Sequence, residues 1–314
     1  MLAGFWTGVG GKLAERLVAT ILTPAFAFWA GGLLAWVDRE GWASVENWIA
    51  DRSSGVQAAL AIGSILLIAV SGLVVEHLTL PVLRFLEGYW PRWLDWARRP
   101  LVDRKRKQRD RLDGRVQALA PKLIEGSATP EEWREYADLD RRLRPFPAHR
   151  PDAPDRLLPT RLGNILRAAE SHPRDRYELD AVKCWPAFWL VLPESTKKEL
   201  ADARTRLDAG AATWLWSLLF LVWTVWAWWA PLASVAGMLA AYVWAIRAAG
   251  SFGELVGAAF DVHRRELYKA LHWPLPRNAA EERARGRALT EYLWWGSDSR
   301  DVEFVTPAEQ AEIT

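Results

Sequence analysis

Four apolar runs, each close to the length of a membrane-spanning helix, constrain the fold of this chain more than any other feature. About 20 consecutive apolar residues in a helix cross the hydrocarbon core of a bilayer. The segments between the runs are strongly polar, so that 25% of the 314 residues are charged although 51% are hydrophobic. We therefore predict an all-α polytopic membrane protein with four transmembrane helices. The predicted spans are Leu17–Val37, Val56–Val75, Ala211–Ala230 and Leu232 to about Ala249.

The spacing of the runs predicts a two-plus-two arrangement with a helical cytoplasmic domain. In the polar region, "TPEEW" begins with a capping box in which Thr129 and Glu132 close the first helical turn. Residues 144–159 hold five prolines and predict an extended linker. No breaker separates residues 195–210 from the third span, which predicts one helix of about 35 residues. The predicted domains are a first hairpin (1–80), a cytoplasmic helical domain (81–210), a second hairpin (211–250) and a cytoplasmic helical tail (251–314).

The Lys and Arg residues beside the apolar runs predict the orientation of the chain. The loop 38–55 has two Arg against four acidic residues, whereas residues 98–111 contain eight basic side chains. We expect both termini and the long polar region in the cytoplasm, with the 38–55 loop and a tight turn at Pro231 outside. Only eight of the 40 basic residues are Lys. Such Arg richness fits a GC-rich bacterial genome and hence the plasma (inner) membrane.

Tryptophan is unusually frequent, with 21 residues, many of them at the ends of the apolar runs. Trp collects at membrane–water interfaces because its ring is apolar and its N–H is polar. The tryptophans at 226, 228 and 229 predict an interfacial belt beside the Pro231 turn. In the first external loop, Trp42, Val45 and Trp48 share one helical face, which predicts a short interfacial helix.

Small residues at every fourth position mark two of the predicted spans. Inside lipid, such faces allow helix backbones to approach each other closely. The stripes could pack within one subunit, pack between subunits or line a pore, and the sequence leaves these uses open. We predict that the first and fourth spans bury their small faces, whereas the second and third spans face lipid more. The helix-packing or pore-lining residues are Ala19, Thr23, Ala27 and Gly31 in the first span, and Ala233, Gly237, Ala241, Ala245, Ala249 and Gly253 in the fourth.

Ionisable residues lie near the predicted cytoplasmic boundary of the spans, and none lies at mid-depth. Snorkelling and local pairing explain such residues. The alternative is a ring of acidic side chains at the inner mouth of a pore. The absence of a mid-membrane charge argues against a proton-coupled transporter and a voltage sensor. The predicted inner-mouth residues are Glu15, Glu76, Arg247 and Glu254.

The basic run that follows the second span predicts contact with anionic lipid headgroups. Its role in setting topology explains much of this charge. Nucleic-acid binding is the poorer interpretation, because Asp103 and Asp110 interrupt the run and no aromatic residues are interleaved. The predicted partners are therefore membrane lipids, further copies of the chain in a homo-oligomer and a cytoplasmic protein, with no nucleic acid. The predicted headgroup residues are Arg98, Arg99, Arg104, Lys105, Arg106 and Lys107.

Signals of catalysis are few. The five histidines have no zinc-type spacing, and the single cysteine excludes an internal disulfide. The segment Gly8–Lys12 resembles part of a phosphate loop but lacks the Ser or Thr that follows the Lys. We therefore predict no catalytic residue, no metal and no cofactor, and a role other than that of an enzyme. A hydrolase built from dispersed carboxylates stays open.

Several motifs in the polar region and the tail resemble those of uncharacterised multi-spanning membrane proteins of GC-rich bacteria. The motifs are "PTRLGNILRAAE", "RYELDAVKCWP", "WPLP" and "LTEYLWWGSD". The resemblance implies a polytopic membrane protein and assigns no site residue, because no function is known for that family. The two-plus-two layout is also similar to that of bestrophin-type anion channels, but their aromatic and Asn-rich motifs are not evident in this sequence.

The sequence leads to two functional hypotheses. The first is an oligomeric membrane channel or pore-like assembly whose cytoplasmic domain regulates a gate. The alternative is a non-conducting membrane scaffold or sensor that recruits a cytoplasmic protein partner. In either case the cytoplasmic domain needs its own core. The predicted core residues are Leu162, Ile165, Leu166, Trp185, Phe188 and Leu190.

Overall fold

The structure of the protein is a computed structural model that describes residues 23–149, 156–298 and 304–305, apart from the side chains of Thr23, Ser44 and Val45. Throughout these residues the regular secondary structure is helical, as the sequence predicts. The helices are α1 (Thr23–Glu40), α2 (Trp42–Ala50), α3 (Ser54–Glu87), α4 (Asp95–Ile124), α5 (Pro130–Leu143), α6 (Arg161–Tyr177), α7 (Ala181–Val191), α8 (Glu194–Leu219), α9 (Ala230–Ala270) and α10 (Ala279–Trp295), with short 3-10 helices at Arg92–Leu94, Phe220–Val225 and Gly296–Asp298.

The chain divides into two compact units. The first, which we call the apolar unit, comprises Met1–Arg84 and Arg206–Ala245. The second, the polar unit, comprises Phe85–Thr205 and Ile246–Thr314. Helices α3, α8 and α9 each contribute residues to both units.

Three stretches contain helices that are long and apolar enough to cross a membrane: Ser54–Ile124, Glu194–Val225 and Ala230–Ala270. Helices with the length and composition of membrane spans are thus present at the second, third and fourth predicted spans. Helix α1 does not qualify over its described length, because its 18 residues end in Asp38, Arg39 and Glu40. The predicted start of the first span, residues 17–22, lies outside the described residues, so a helix long enough to cross the membrane at the first span stays a prediction.

Aromatic rings hold the apolar unit together. One buried cluster joins Ala25 of α1 and Val75 of α3 to Trp216 of α8. A second cluster joins α1 to the 3-10 helix after α8 and to the start of α9 through Trp223. The Phe28 ring lies between them, with its centroid 5.1 Å from those of both Trp216 and Trp223. Packing therefore continues along α1 from one cluster to the next.

The connection between the third and fourth predicted spans differs in detail from the prediction. Helix α8 runs from the polar segment into the apolar one without a break, as predicted, but its continuation over Phe220–Val225 is a 3-10 helix. The turn falls at residues 226–229, and Pro231 lies in the first turn of α9 instead. Proline is tolerated there because the first helical N–H groups have no partner within the helix.

The polar unit has capped helices and an aromatic core. The predicted capping box is present, with both the Thr129 and the Glu132 hydrogen bonds formed. Helix α5 then packs antiparallel against the end of α4. In the core, the Phe188 and Phe260 rings stack with centroids 4.0 Å apart. Within the predicted linker at 144–159, residues 150–155 lie outside the described residues.

The predicted core of the polar unit is right in part. Leu162 and Phe188 are fully buried, and Ile165, Leu166 and Trp185 are half-buried. The prediction that Leu190 belongs to the core is wrong, because 78% of its surface is exposed. The reason is helical periodicity: α7 buries Cys184 and Phe188, four residues apart, which places Leu190 on the opposite side. The apolar residues 188–191 are therefore the last turn of an amphipathic helix.

Candidate functional sites

The small-residue stripe of α9 lies mostly against other parts of the same chain. A Cβ atom added at Gly237 would come within 2.6 Å of the Ser217 Oγ of α8. One added at Gly210 of α8 would lie 3.1 Å from the Ala245 Cα. In the polar unit, a Cβ at Gly253 would lie 3.0 Å from that of Ala169. Of the other predicted positions, Ala241, Ala245 and Ala249 are buried and Ala233 is exposed.

The stripe of α1 has a similar use in its described part. Gly31 faces the edge of the Phe220 ring, which a Cβ would approach to 2.6 Å. Its neighbour Gly32 faces the Trp223 ring even more closely, at 2.3 Å. Ala27 is exposed, and Ala19 and the Thr23 side chain lie outside the described residues. The glycine pair thus makes room for bulky aromatic side chains from the 3-10 helix.

The second and third spans are predicted to be more exposed than the other two. This prediction holds for α3, in the second span, and fails for α8, in the third. In the most apolar part of α3, only 11% of the residues are buried, and residues 54–67 are exposed throughout. In α8 and α9 the share is 28% for each. The prediction that the third span is more exposed than the fourth is wrong, because α8 is the helix against which α9 packs its small residues.

The described inner-mouth residues are all exposed. Glu76 lies on α3, and Arg247 and Glu254 lie on α9. Among the described residues, these three side chains form no ion pair. Glu15 lies outside the described residues. The ring of ionisable side chains at a pore mouth therefore stays a prediction.

The basic run lies on α4, where part of its charge is compensated. Arg98 pairs with Asp95 at 3.7 Å, and Arg106 pairs with Asp103 at 3.1 Å. Lys105 is half-buried and lies 3.5 Å from an acceptor on Gln108. The other predicted headgroup residues, Arg99, Arg104 and Lys107, are exposed. Contact with lipid headgroups stays a prediction for these side chains.

Three side chains of α6 converge on one carboxylate of α9. His172 Nε2 lies 3.1 Å from Asp261 Oδ1, and the Tyr177 hydroxyl donates to the same oxygen at 2.7 Å. Arg176 approaches Oδ2 at 3.4 Å. One turn further along α9, the Arg264 guanidinium stacks over the Tyr177 ring at 4.1 Å. Sequence analysis did not predict this cluster, because its members are far apart in the chain and belong to no local motif.

The Asp261 cluster is suited to holding α6 against α9 rather than to catalysis. Burial and the hydrogen bond to Asp261 raise the pKa of Tyr177, so its hydroxyl stays a donor at neutral pH. Nucleophilic catalysis needs a hydroxyl, thiol or amine activated by a base. Ser171 donates instead to the main chain of its own helix, and Cys184 is buried with its pKa raised by burial to about 11. Within the described part of the chain, no nucleophile reaches this cluster.

A second polar cluster joins the end of α6 to α10. Glu178 ends α6 in the left-handed conformation, with φ at 57°. Its carboxylate lies 3.2 Å from Arg283 and 3.7 Å from Arg287. The Thr290 hydroxyl donates to the Glu178 main-chain oxygen at 3.2 Å and accepts from the Asp180 N–H at 3.1 Å. The "RYELD" and "LTEY" motifs therefore meet at this junction.

The "PTRLGN" motif holds the junction between α3 and α6. A Cβ added at Gly163 would lie only 1.9 Å from the Glu87 main-chain oxygen. The Thr160 hydroxyl donates to that oxygen at 2.8 Å and also caps α6. The Asn164 amide forms hydrogen bonds with both the N–H and the C=O of Leu158. The residues that carry the resemblance thus form helix junctions in this structure.

One side of α5 carries two aromatic side chains, followed along the helix by two arginines. Its residues recur at helical spacing around a shallow cavity of about 480 Å³. The Trp133 and Tyr136 rings meet edge to face, with centroids 6.4 Å apart. The opposite side of α5 packs against α4 through buried Leu139. We call this surface the α5 outer face; its residues are Trp133, Tyr136, Ala137, Asp140, Arg141 and Arg144.

Comparison with known proteins adds no functional assignment. No protein-family model, no curated protein and no solved structure matches this chain. The resemblance to uncharacterised membrane proteins therefore stays a prediction, and function has to be argued from the sites themselves.

Proposed function

We propose that this protein is a four-span protein of the bacterial plasma (inner) membrane, with both termini and the polar unit in the cytoplasm. We propose further that it acts as a non-conducting membrane scaffold or sensor, and that its polar unit recruits a cytoplasmic protein partner. Three helices with the length and composition of membrane spans support the membrane part of this proposal. The recruiting role rests on the α5 outer face.

The exposure of Trp133 is the observation that carries the recruiting role. Half of its surface is exposed, on a helix whose other side chains are mostly charged or polar. An exposed indole loses the favourable burial of its apolar ring, and a partner that covers it restores that contribution. Trp, Tyr and Arg are also the residues in which the binding energy of protein interfaces concentrates. All three residue types occur together on this face.

The charges of the face indicate the chemistry of the partner. Arg144 is held by Asp140 at 3.1 Å. Arg134 and Arg141, which flank Ala137, form no ion pair with any described residue. Among the described residues, positive charge thus remains beside the aromatic rings. An acidic segment with one apolar anchor side chain, contributed by a cytoplasmic protein, fits both features.

The channel hypothesis stays a prediction. The small-residue stripe of α9 is the candidate for lining a pore. Most of its positions contact other parts of the same chain or are buried within it. Internal packing accounts for these positions without a pore, which supports the scaffold over the channel. Current recordings from the purified protein in planar bilayers test the choice directly. We expect no conductance, and a conductance that responds to substitutions in α9 would contradict the scaffold.

Site-specific photo-crosslinking in cells tests the recruiting role. A photoreactive amino acid at Trp133 is expected to give one discrete protein adduct, identified by mass spectrometry. The double variant R134E/R141E should abolish that adduct by reversing the charge of the face. The matched control K198E/R265E makes the same change in charge at exposed positions of α8 and α9. An adduct that survives the first variant, or that is lost equally in both, would contradict the proposed interface.

Cysteine labelling tests the proposed topology in a C184S background, in which no native thiol remains. A membrane-impermeant reagent applied to intact cells should label a cysteine introduced at Ser53 but not one at Ser127. Both positions are exposed in the structure, so access is limited only by the membrane. The reverse pattern would overturn the proposed orientation.

A further inference from the structure

One side of α4 carries two exposed tryptophans followed by a row of exposed cations. Trp93, in the short 3-10 helix before α4, is 73% exposed, and Trp96 is 75% exposed. After Trp96, exposed residues recur at spacings of three and four, which places them on one side of the helix. The opposite side is packed, with Arg109 buried. We call the exposed side the α4 outer face; its residues are Trp93, Trp96, Pro100, Arg104, Lys107 and Arg111.

The cations of the α4 outer face are not neutralised by the acidic residues around them. Each acidic residue within 95–111 pairs with an arginine that lies outside the face. The pairs are Asp95 with Arg98 at 3.7 Å, Asp103 with Arg106 at 3.1 Å, and Asp110 with Arg109 at 3.0 Å. Arg104, Lys107 and Arg111 form no ion pair with any described residue. Within the part of the chain that the structure describes, their positive charge therefore stays available beside two indole rings.

This combination of side chains is suited to the surface of a membrane. Indole rings collect at the membrane–water interface, because the ring is apolar and its N–H is polar. A row of cations is attracted to anionic headgroups, and each cation near such a surface contributes about a fivefold preference. Helices that lie in the interface carry both kinds of residue. Anionic lipid thus matches the rings and the charges of the α4 outer face together.

The position of the face in the chain favours a bilayer over a dissolved partner. Helix α3 belongs to the stretch with the length and composition of a membrane span, and only four residues separate it from the 3-10 helix at Arg92–Leu94. Exposed apolar side chains continue along α3 beyond its most apolar part, at Leu78, Leu80 and Phe85. A bilayer that contains α3 is therefore tethered to α4 by the chain itself, whereas a protein has to be recruited from solution.

We propose that the α4 outer face binds the anionic surface of the cytoplasmic leaflet, with Trp93 and Trp96 as its interfacial anchors. Arg104, Lys107 and Arg111 face the headgroup phosphates. Among the headgroup residues predicted from the sequence, the structure thus favours Arg104 and Lys107. The inference rests on the proposed placement of α3 in the membrane, and it is independent of any partner at the α5 outer face.

Site-specific fluorescence quenching in vesicles tests the contact. An environment-sensitive label is attached to a cysteine at Pro100, at Ile65 or at Ile124 of the full chain, in a C184S background. Ile65 is exposed on α3, and Ile124 is exposed at the far end of α4, outside the face. Vesicles of phosphatidylglycerol and phosphatidylcholine carry a nitroxide quencher on the headgroup or on the acyl chain. We expect the headgroup quencher to act on the Pro100 label, the acyl-chain quencher to act on the Ile65 label, and neither to act on the Ile124 label.

Paired variants test which side chains make the contact. R104E/K107E should reduce quenching at Pro100 to the level found in vesicles of phosphatidylcholine alone, whereas K198E/R265E makes the same change in charge at exposed positions elsewhere and should not. W93A/W96A should also remove most of the quenching. Its matched control is W294A/W295A, which truncates two exposed tryptophans at the end of α10.

The label on α3 separates failure of this inference from failure of the membrane span. A Pro100 label that stays unquenched while the Ile65 label is quenched would overturn the inference, leave α3 in the bilayer and assign the cations to an acidic protein instead. Absence of quenching at Ile65 would overturn both. Equal responses to the two charge variants, or to the two tryptophan variants, would also overturn the inference.

Discussion

In the apolar unit Gly31 and Gly237 make room for side chains, whereas in the polar unit Gly163 and Gly286 make room for main-chain carbonyl groups. Gly31 and Gly237 face Phe220 and the Ser217 hydroxyl. In the polar unit, a Cβ at Gly163 would lie 1.9 Å from the carbonyl oxygen of Glu87. A Cβ added at Gly286 would likewise lie 1.9 Å from the carbonyl oxygen of Tyr177.

The difference follows from where each unit can satisfy a polar group. Helix ends leave carbonyl oxygens without a partner in the helix. In the polar unit, threonine hydroxyls take over this role: Thr160 donates to Glu87, and Thr290 donates to Glu178. Lipid offers no hydrogen bond to an exposed carbonyl, so apolar helices keep their carbonyls paired and gain contact through small faces. Gly163 and Gly286 therefore serve helix junctions, whereas Gly31 and Gly237 serve helix packing.

The largest expected effect comes from the core of the polar unit. Phe188→Ala removes a fully buried ring that stacks on Phe260 and should lower the free energy of unfolding by about 3–5 kcal/mol. Leu190→Ala, two residues away and exposed, should change it by no more than about 0.5 kcal/mol. Thermal unfolding in detergent, followed by circular dichroism, measures both. Similar effects of the two substitutions would show that α7 presents a different face to the core.

Substitution of a glycine at a helix junction should lower the free energy of unfolding by nearly as much. Gly163→Ala adds a methyl group where the Glu87 carbonyl leaves no space, and we expect a loss of about 3 kcal/mol. Gly114→Ala is the matched control, because this exposed glycine in α4 has no atom within 4 Å of the added Cβ. It should stabilise the protein by about 0.5–1 kcal/mol through higher helix propensity. Stability that Gly163→Ala leaves unchanged would contradict the close approach of α6 to the end of α3.

Substitution of glycine or alanine in the apolar unit should lower the free energy of unfolding by less. Gly237→Leu and Ala241→Leu overpack the contact between α8 and α9 and should each cost about 1–3 kcal/mol. Val243→Leu, at an exposed position of α9, should be tolerated. Thermal stability and chemical cross-linking are measured together. Loss of a cross-linked oligomer while the monomer stays folded would assign the stripe to a subunit interface and contradict the internal packing described here.

The last test is the chemical labelling of Cys184, which reports burial and leaves the stability of the folded protein unchanged. Burial raises the pKa of Cys184 to about 11, so on the order of one thiol in a thousand is ionised at pH 8. The folded protein should resist iodoacetamide at pH 8 and react once it is unfolded. Labelling of the folded state should become faster as the pH rises towards 11, because the thiolate is the reactive form. Rapid labelling at pH 8 would show that the core around α7 is open to solvent.

Local patterns in the sequence predicted several elements correctly. The capping box at Thr129 and the continuity of α8 both depend on neighbouring residues. Leu190 shows the limit of such patterns. A short apolar run does not reveal which of its residues face inward until the phase of the helix is known, and that phase depends on what packs against it.

The sequence by itself determined where the chain is helical and which helices suit a bilayer, because hydrophobic length and capping are local properties. Only the tertiary structure decided what the small stripe of α9 contacts, because Ser217 and Ala169 reach it from distant parts of the chain. The same holds for the Asp261 cluster and for the close fit of Trp223 over Gly32. A small or aromatic side chain has the same composition whether it faces lipid, a partner or its own chain. Its role is decided by the contacts that folding creates.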